Sequence, residues 1–136
     1  MLLLLLLVVS LLPQCCGLFG FIGKTQNVDV RGEVKCDGYP AQDVQVSLVS
    51  VGWFDDTDMG THYTDRWGQV RVSGSTKEIA TITPALYLYH TCNSYGSCYK
   101  RLKIKIPKAY VSYGDRSPKT FYFRANLEQG SQKWMC

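Results

Sequence analysis

The stretch Pro84-Ala85-Leu86-Tyr87-Leu88-Tyr89-His90-Thr91-Cys92 decides the fold. Alternate residues share a face, so that one face carries two leucines, a histidine and a cysteine, and the other carries two tyrosines and a threonine. This period of two predicts a β-strand with both faces at least partly covered. Pro84 stands at its first position, where a missing backbone donor disturbs a ladder least. The pattern directs Cys92 toward the core.

An earlier stretch follows the same pattern and also ends in a cysteine. A strand is predicted at residues 28–35, with an inward row of small apolar residues: Val28, Val30, Gly32, Val34 and Cys36. Two strands that each end in an inward cysteine are well placed to be joined by a disulfide.

Further short segments with period two occur at 44–48, 70–72, 102–106 and 121–127, and an irregular one at 110–113. Residues 52–60 are interpreted as an acidic loop and 64–68 as a turn. Residues 75–82 are the place for a short helical turn, although Ile79, Thr81 and Ile82 favour extended chain. About seven short strands, separated by turn residues and without a long helical period, predict an all-β fold, a disulfide-stapled β-sandwich.

The N-terminus indicates secretion. Residues 2–12 are almost all aliphatic, too few to cross a bilayer, which takes about 20. They suit the apolar region of a signal peptide at 1–17, cut after Gly17, with an uncleaved membrane anchor as the alternative. We expect a mobile N-terminal extension at 18–27 and one domain at 28–136, secreted and extracellular.

Cleavage leaves four cysteines: Cys36, Cys92, Cys98 and Cys136. In an oxidising compartment these predict two disulfides. A zinc site is the competing interpretation, but the chain has no Cys-x-x-Cys and 2 histidines. The inward cysteines favour Cys36–Cys92, which leaves Cys98–Cys136; the rival pairing joins Cys92 to Cys98 and Cys36 to Cys136.

Charge is unevenly spread along the chain, whose net charge is +4. The basic residues concentrate on and around one predicted strand, and five of them are candidate anion-binding residues: Lys100, Arg101, Lys103, Lys105 and Lys108. Alternate strand residues lie about 6.6 Å apart, close to the spacing of lipid headgroups or sulfates. The alternative is an edge strand whose lysines only prevent aggregation.

Several pieces, in this order, resemble the nematode transthyretin-like family. The similar stretches are Val30 to Cys36, Gly38 to Ala41, Thr64 to Gly68, Leu86 to Cys92, Lys103 to Pro107, and Asn126-Leu127. Two places depart from the family pattern: Thr91 replaces an acidic residue, and the ending from Lys133 is less acidic. The resemblance spans 28–136 and implies a prealbumin-like sandwich with immunoglobulin-like Greek-key connections. It also implies a secreted protein, and some members resemble recognition or bridging proteins.

Enzymatic and metal-binding functions find little support in the residues. Sandwiches of this kind include hydroxyisourate hydrolases, which need paired histidines and a Tyr-Arg-Gly-Ser ending, whereas this chain ends in Trp-Met-Cys. His90 is interpreted as a core histidine, and Asp55, Asp56 and Asp58 as a solvated acidic loop rather than a calcium site. We therefore expect no catalytic residue, metal or cofactor.

The expected function is extracellular binding of a cell-surface protein or an anionic lipid or glycan. The alternative is a carrier of a small hydrophobic ligand at an oligomer interface. Nucleic acid is not an expected partner, no transmembrane segment is expected in the mature chain, and the sequence leaves the oligomeric state open.

Overall fold

Ten β-strands form two packed sheets in the computed structural model, which describes residues 23–136. In chain order the strands are β1 (Lys24–Cys36), β2 (Tyr39–Pro40), β3 (Gln45–Ser50), β4 (Thr57–Tyr63), β5 (Gln69–Glu78), β6 (Pro84–His90), β7 (Tyr99–Lys105), β8 (Ser112–Tyr113), β9 (Thr120–Asn126) and β10 (Lys133–Met135). The predicted all-β sandwich is confirmed. The expected signal peptide at 1–17 and residues 18–22 of the expected extension lie outside the described residues.

Strand β1 is the centre of the first sheet, sheet A. It pairs antiparallel with β2, β5 and β8 and parallel with β9. A parallel pair needs a long connection, which here is nearly the whole second sheet. The two sheets are therefore interleaved along the chain.

The second sheet, sheet B, has the strand order β10-β7-β6-β3-β4. Strand β6, which contains most of the decisive stretch, lies at its middle between β3 and β7. Its inward residues Leu86 and Leu88 are fully buried, and Tyr87 on the other face is 6% exposed. The prediction that both faces of this strand are at least partly covered is confirmed.

The core lies between the sheets and consists mainly of the predicted inward rows. Its fully buried aliphatic side chains include Val28, Val30, Val34, Val46, Leu48, Val72, Leu86, Leu88 and Leu127. Gly32 interrupts the row on β1 because the ring of Phe123 on β9 occupies the space where a side chain would stand. A Cβ atom at Gly32 would lie 2.0 Å from Cε1 of Phe123.

The structure corrects four sequence-based boundaries. Strand β1 begins at Lys24, so residues 24–27 of the expected mobile extension are paired with β5. Strand β4 at residues 57–63 begins within the predicted loop at 52–60, residues 75–78 extend β5 rather than forming a helical turn, and residues 133–135 form β10 where no strand was predicted. Each extra segment lies on or beside a sheet edge, where only part of the strand is buried and alternation is weak.

Two disulfides fasten these parts together. Cys36–Cys92 joins the end of β1 in sheet A to the segment after β6 in sheet B, with the Cα atoms 5.8 Å apart. Cys98–Cys136 joins the residue before β7 to the one after β10. This is the pairing that the sequence favoured. The part of the chain that the structure describes contains no helix long and apolar enough to cross a membrane.

Candidate anion-binding face

Strand pairing assembles the outer surface of sheet B from five strands. Residues in register lie side by side on one face, so a row across the sheet contains Tyr63, Gln45, Tyr89, Arg101 and Lys133. The next row contains Thr61, Ser47, Tyr87 and Lys103, and the third contains Asp58, Val49, Ala85 and Lys105. We call this surface the cationic face; its basic members are Arg101, Lys103, Lys105 and Lys133, and Asp58 lies on β4 at its far edge.

Three of the five predicted residues meet on this face, and two do not. Arg101, Lys103 and Lys105 alternate along β7 and share its outward side. Lys100 belongs to the opposite side of β7, where its ammonium lies 4.6 Å from the centre of the Trp134 ring. Lys108 lies in a 3₁₀ turn, Lys108–Tyr110, beyond the end of the strand. The five candidate residues therefore do not form one row. Lys100 points to the opposite face because consecutive strand residues alternate, and Lys108 lies past the end of the strand.

Lys133 is a member of the face that the sequence analysis missed. Its partner in the β10–β7 ladder is Arg101, which places the two cations side by side. The predicted Cys98–Cys136 disulfide could have revealed the position of Lys133. A disulfide between residues that flank two segments brings those segments next to each other, so residues 133–135 could have been placed beside 99–101.

Tyrosines support the cations of this face. The Arg101 guanidinium lies 4.2 Å from the centre of the Tyr87 ring and the Lys103 ammonium 6.0 Å from it. Such contacts are attractive because the ring face is electron-rich. Burial raises the pKa of Tyr87, and the hydrogen bond that its hydroxyl donates to Asp56 (2.7 Å) raises it further. The phenol therefore stays neutral and the face stays positive.

The cations of this face have no acidic partners among the described residues. Three ion pairs occur there: Lys35–Glu33, Arg71–Asp29 and Arg124–Glu33. All of them lie on sheet A. Arg101, Lys103, Lys105 and Lys133 thus present their charge to solvent instead of to a carboxylate of the described chain.

The outer face of sheet A is the natural contrast. It has a larger open depression, about 870 Å³, lined by Arg31, Arg71 and Arg124 among others. Its charge is balanced, however, because Arg71 lies 3.6 Å from Asp29 and Arg124 lies 4.0 Å from Glu33. Burial acts to raise the pKa of Asp29, but hydrogen bonds from Ser73 and Thr120 and the Arg71 charge outweigh it and lower that pKa. A balanced face of this kind has less attraction for an external anion.

The edge-strand explanation covers only half of β7. Strand β10 pairs with Tyr99, Lys100 and Arg101, so this half of β7 is not an edge. The remaining half, ending at Lys105, has no strand on its far side in the described sheet. Edge protection can therefore account for Lys103 and Lys105, and for Lys133 on the edge strand β10, but not for Arg101.

A shallow depression of about 570 Å³ lies at one end of the cationic face. Tyr63, Tyr89 and Tyr99 line it, together with Thr91 and other residues. The Tyr89 and Tyr99 rings are 6.2 Å apart. The Asp43 carboxylate also lines it, whereas Arg101, Lys103, Lys105 and Lys133 do not, so the depression itself does not favour an anionic group.

His90 borders this depression, and both of its ring nitrogens have hydrogen-bond partners within the protein. Its Nδ1 accepts a hydrogen bond from the Cys92 backbone N–H (3.1 Å), so Nε2 carries the proton and donates to Gln132. Burial lowers the pKa of His90, and the nearby Lys100 charge lowers it further. Both nitrogens are occupied, and His62, the other histidine, lies two strands away on β4. The paired histidines of a hydrolase are not formed.

Acidification should destabilise the protein in the window just below pH 6.5. The unfolded histidine has a pKa of 6.5 and the folded His90 a lower one, so the unfolded chain binds more protons as the pH falls between the two values. The urea midpoint should therefore drop on going from about pH 7.5 to about pH 5.5. His90→Gln should remove most of this drop and His62→Gln should not; an equal drop in the His90 variant would contradict the assignment.

The acidic residues after β3 do not converge on a common point. Asp56 accepts hydrogen bonds from Tyr87 and from the Gly52 N–H, and Asp58 accepts from the Gly60 N–H (3.0 Å). Among the described residues, the group that could bring three ligand atoms together is Cys36, Asp37 and Cys92. Its two cysteines are joined to each other, and a sulfur in a disulfide is not a metal ligand.

Comparisons with known proteins agree with the predicted resemblance. The model of the transthyretin-like family matches residues 31–107, from within β1 to just past β7. Transthyretin-like protein 1 of Caenorhabditis elegans is 37% identical over 123 residues, which cover 84% of this chain and 78% of that protein. Transthyretin-like protein 2 of the same organism is 35% identical over 109 residues, 74% of each chain. Transthyretin-like protein 5 is 35% identical over 109 residues, 78% of each chain.

Proposed function

The chain belongs to the transthyretin-like family, and from this premise we propose that it is a secreted, non-catalytic binding protein that engages anionic surfaces through its cationic face. One observation carries the proposal. Arg101, Lys103, Lys105 and Lys133 share one outward face, while the three ion pairs of the described chain all lie on the other sheet. Unpaired cations on a rigid sheet attract phosphate, carboxylate or sulfate groups.

The sheet fixes these charges in a pattern. Arg101, Lys103 and Lys105 follow one another at strand spacing, and Lys133 lies one strand away, about 4.8 Å from β7. Arg101 is held over Tyr87, so part of the entropy that a flexible side chain loses on binding has already been lost in the free protein. The guanidinium also offers paired donors to an anionic oxygen group.

Several features support a non-catalytic role. The four cysteines of the described chain are all in disulfides, which removes the thiolate nucleophile. The ring nitrogens of His90 are both engaged in hydrogen bonds within the protein. The relatives described above are named only as transthyretin-like proteins.

Replacing Arg101, Lys103 and Lys105 with Gln should weaken binding to an anionic surface. A cation near such a surface contributes about 1 kcal/mol, so the affinity should fall roughly fivefold for each charge removed. Affinity for phosphatidylserine-containing vesicles and for immobilised heparin should be measured in low and in physiological salt. Added salt should weaken the wild type, because the interaction is between exposed charges.

The matched control is the triple variant Arg31→Gln, Lys35→Gln and Arg124→Gln. It removes the same charge from the outer face of sheet A and leaves the Arg71–Asp29 pair in place. It should bind like the wild type apart from a small effect of net charge. Equal losses in the two triple variants would show that total charge, not the cationic face, drives binding, and no salt-dependent binding by the wild type to either surface would refute the proposal.

Secretion is part of the same proposal and has its own test. The apolar stretch at 2–12 fits a cleaved signal peptide, and disulfides such as the two present here persist in oxidising compartments. A C-terminally tagged full-length chain expressed in a eukaryotic cell should appear in the medium with an N-terminus near Leu18. Recovery in the membrane fraction with Met1 intact would contradict it.

A further inference from the structure

The connection between β3 and β4, residues 51–56, carries an apolar tip. Trp53 and Phe54 are adjacent and each is 100% exposed. Burying a large aromatic side chain is favourable by a few kcal/mol, and neither of these two adjacent side chains gains that free energy in the free protein. Such a feature in a soluble domain marks a surface that is buried against something else.

This loop is fastened to the cationic face. Asp56 accepts a hydrogen bond from the Tyr87 hydroxyl at 2.7 Å and another from the Gly52 N–H at 3.3 Å. At the other stem, the Val51 N–H donates to the Thr83 carbonyl at 2.9 Å, and the Val51 side chain packs on the cluster that includes Tyr87. The ring of Tyr87 also lies under Arg101. The tip and the cations are therefore supported by the same tyrosine.

Resting on the proposed function, we propose that the anionic surface is a lipid bilayer and that Trp53 and Phe54 insert into its interface while the cationic face contacts headgroups. Aromatic side chains, Trp above all, favour the boundary between headgroups and hydrocarbon. Basic residues beside them are attracted to the negative surface potential. One such signal gives weak, reversible binding, and two together give stable binding.

The chemistry of the tip favours a bilayer over a sulfated glycan or a protein. A glycan sulfate would satisfy the cations but would leave Phe54 in water. A protein partner would have to supply a pocket for two fully protruding rings, whereas a bilayer accepts them without a matching shape. Asp55 follows Phe54 directly, and a carboxylate is costly inside hydrocarbon. Insertion is therefore limited to the two rings, and the cations remain at headgroup level.

The test uses vesicles of phosphatidylcholine alone and mixed with phosphatidylserine, and the secreted chain as purified from medium. The double variant Trp53→Ser, Phe54→Ser should partition onto the mixed vesicles about 10- to 100-fold less than the wild type, the factor expected when two partly buried aromatic rings are lost. Trp67→Ser is the matched control. Trp67 is 57% exposed beneath Arg66 and lies beyond the opposite end of β4 from the tip. It should bind like the wild type.

The depth of Trp53 in the bilayer can be measured independently of the affinity for vesicles. In a Trp67→Phe, Trp134→Phe background Trp53 is the one remaining tryptophan, and brominated lipids should quench its fluorescence on mixed vesicles. Unchanged partitioning of the double variant, an equal loss in the Trp67 variant, or absence of quenching would overturn insertion while leaving anion binding intact. Binding to heparin but not to vesicles would contradict only the proposal that the anionic surface is a bilayer. Binding to neither would contradict the proposed function as well.

Discussion

Replacing Cys36 and Cys92 together with alanine is expected to lower the free energy of unfolding by about 4 kcal/mol. The bond closes a loop of 56 residues, and opening it restores the conformational freedom of that loop to the unfolded chain. It also connects the end of β1 in sheet A to the segment after β6 in sheet B, beside the core. Urea unfolding under oxidising conditions measures the loss directly.

Removing the second disulfide should lower the free energy of unfolding by a similar amount but should also affect anion binding. Cys98–Cys136 closes 38 residues, so Cys98→Ala with Cys136→Ala should also cost about 4 kcal/mol. This pair of substitutions should in addition release β10 and remove Lys133 from the cationic face, which should weaken anion binding while the protein is still folded. The Cys36–Cys92 variant should keep its anion binding when folded.

The connectivity itself can be read from peptides. Non-reducing proteolysis that cuts after Tyr95 separates Cys92 from Cys98. A peptide that joins the Cys36 segment to the Cys92 segment is the expected product. A product in which Cys92 remains joined to Cys98 would contradict both disulfide predictions.

The second large effect is expected at the contact between Gly32 and Phe123. Phe123→Ala should cost about 3 to 5 kcal/mol, because it empties a buried site beside β1. Gly32→Ala should cost about 3 kcal/mol for the opposite reason: the new Cβ would lie 2.0 to 2.3 Å from three ring atoms of Phe123. Both values come from chemical denaturation of the purified variants.

A double-mutant cycle distinguishes this contact from unrelated destabilisation. In the Phe123→Ala background the ring is absent, so Gly32→Ala should cost much less than it does alone. Gly38→Ala is a useful control for added side-chain bulk, since its new Cβ would meet nothing within 4 Å, although its φ of 85° adds backbone strain. Additive costs for Gly32 and Phe123 would mean that the two residues do not touch as described.

The sequence predicts the fold well where strands are buried on a full face. The inward row of β1 and the alternation of β6 identify their strands because half of their side chains must be apolar. The sequence of strand β4 shows no such alternation of apolar and polar residues. Met59 is its one buried residue, and a bulge at Leu48/Val49 of its partner β3 shifts the register. An edge strand that buries so little has no pattern to detect.

The candidate site could be predicted only in part. Alternation along β7 groups Arg101, Lys103 and Lys105, since neighbours on one strand are fixed by period two. Lys133 joins them through pairing with a distant segment, which no local pattern reveals. The exposure of Trp53 and Phe54 was also hidden, because the aspartates around them identify a loop but not the direction in which its apolar side chains point.

Mapping the contact surface by hydrogen–deuterium exchange is the most direct measurement of the central claim. The wild-type chain should be compared free and bound to phosphatidylserine-containing vesicles. The account predicts slower exchange in peptides that cover β7, β10 and the 51–56 loop, with no change in those that cover the outer face of sheet A around Arg31 and Arg124. Protection centred on sheet A, or none in β7, would contradict it.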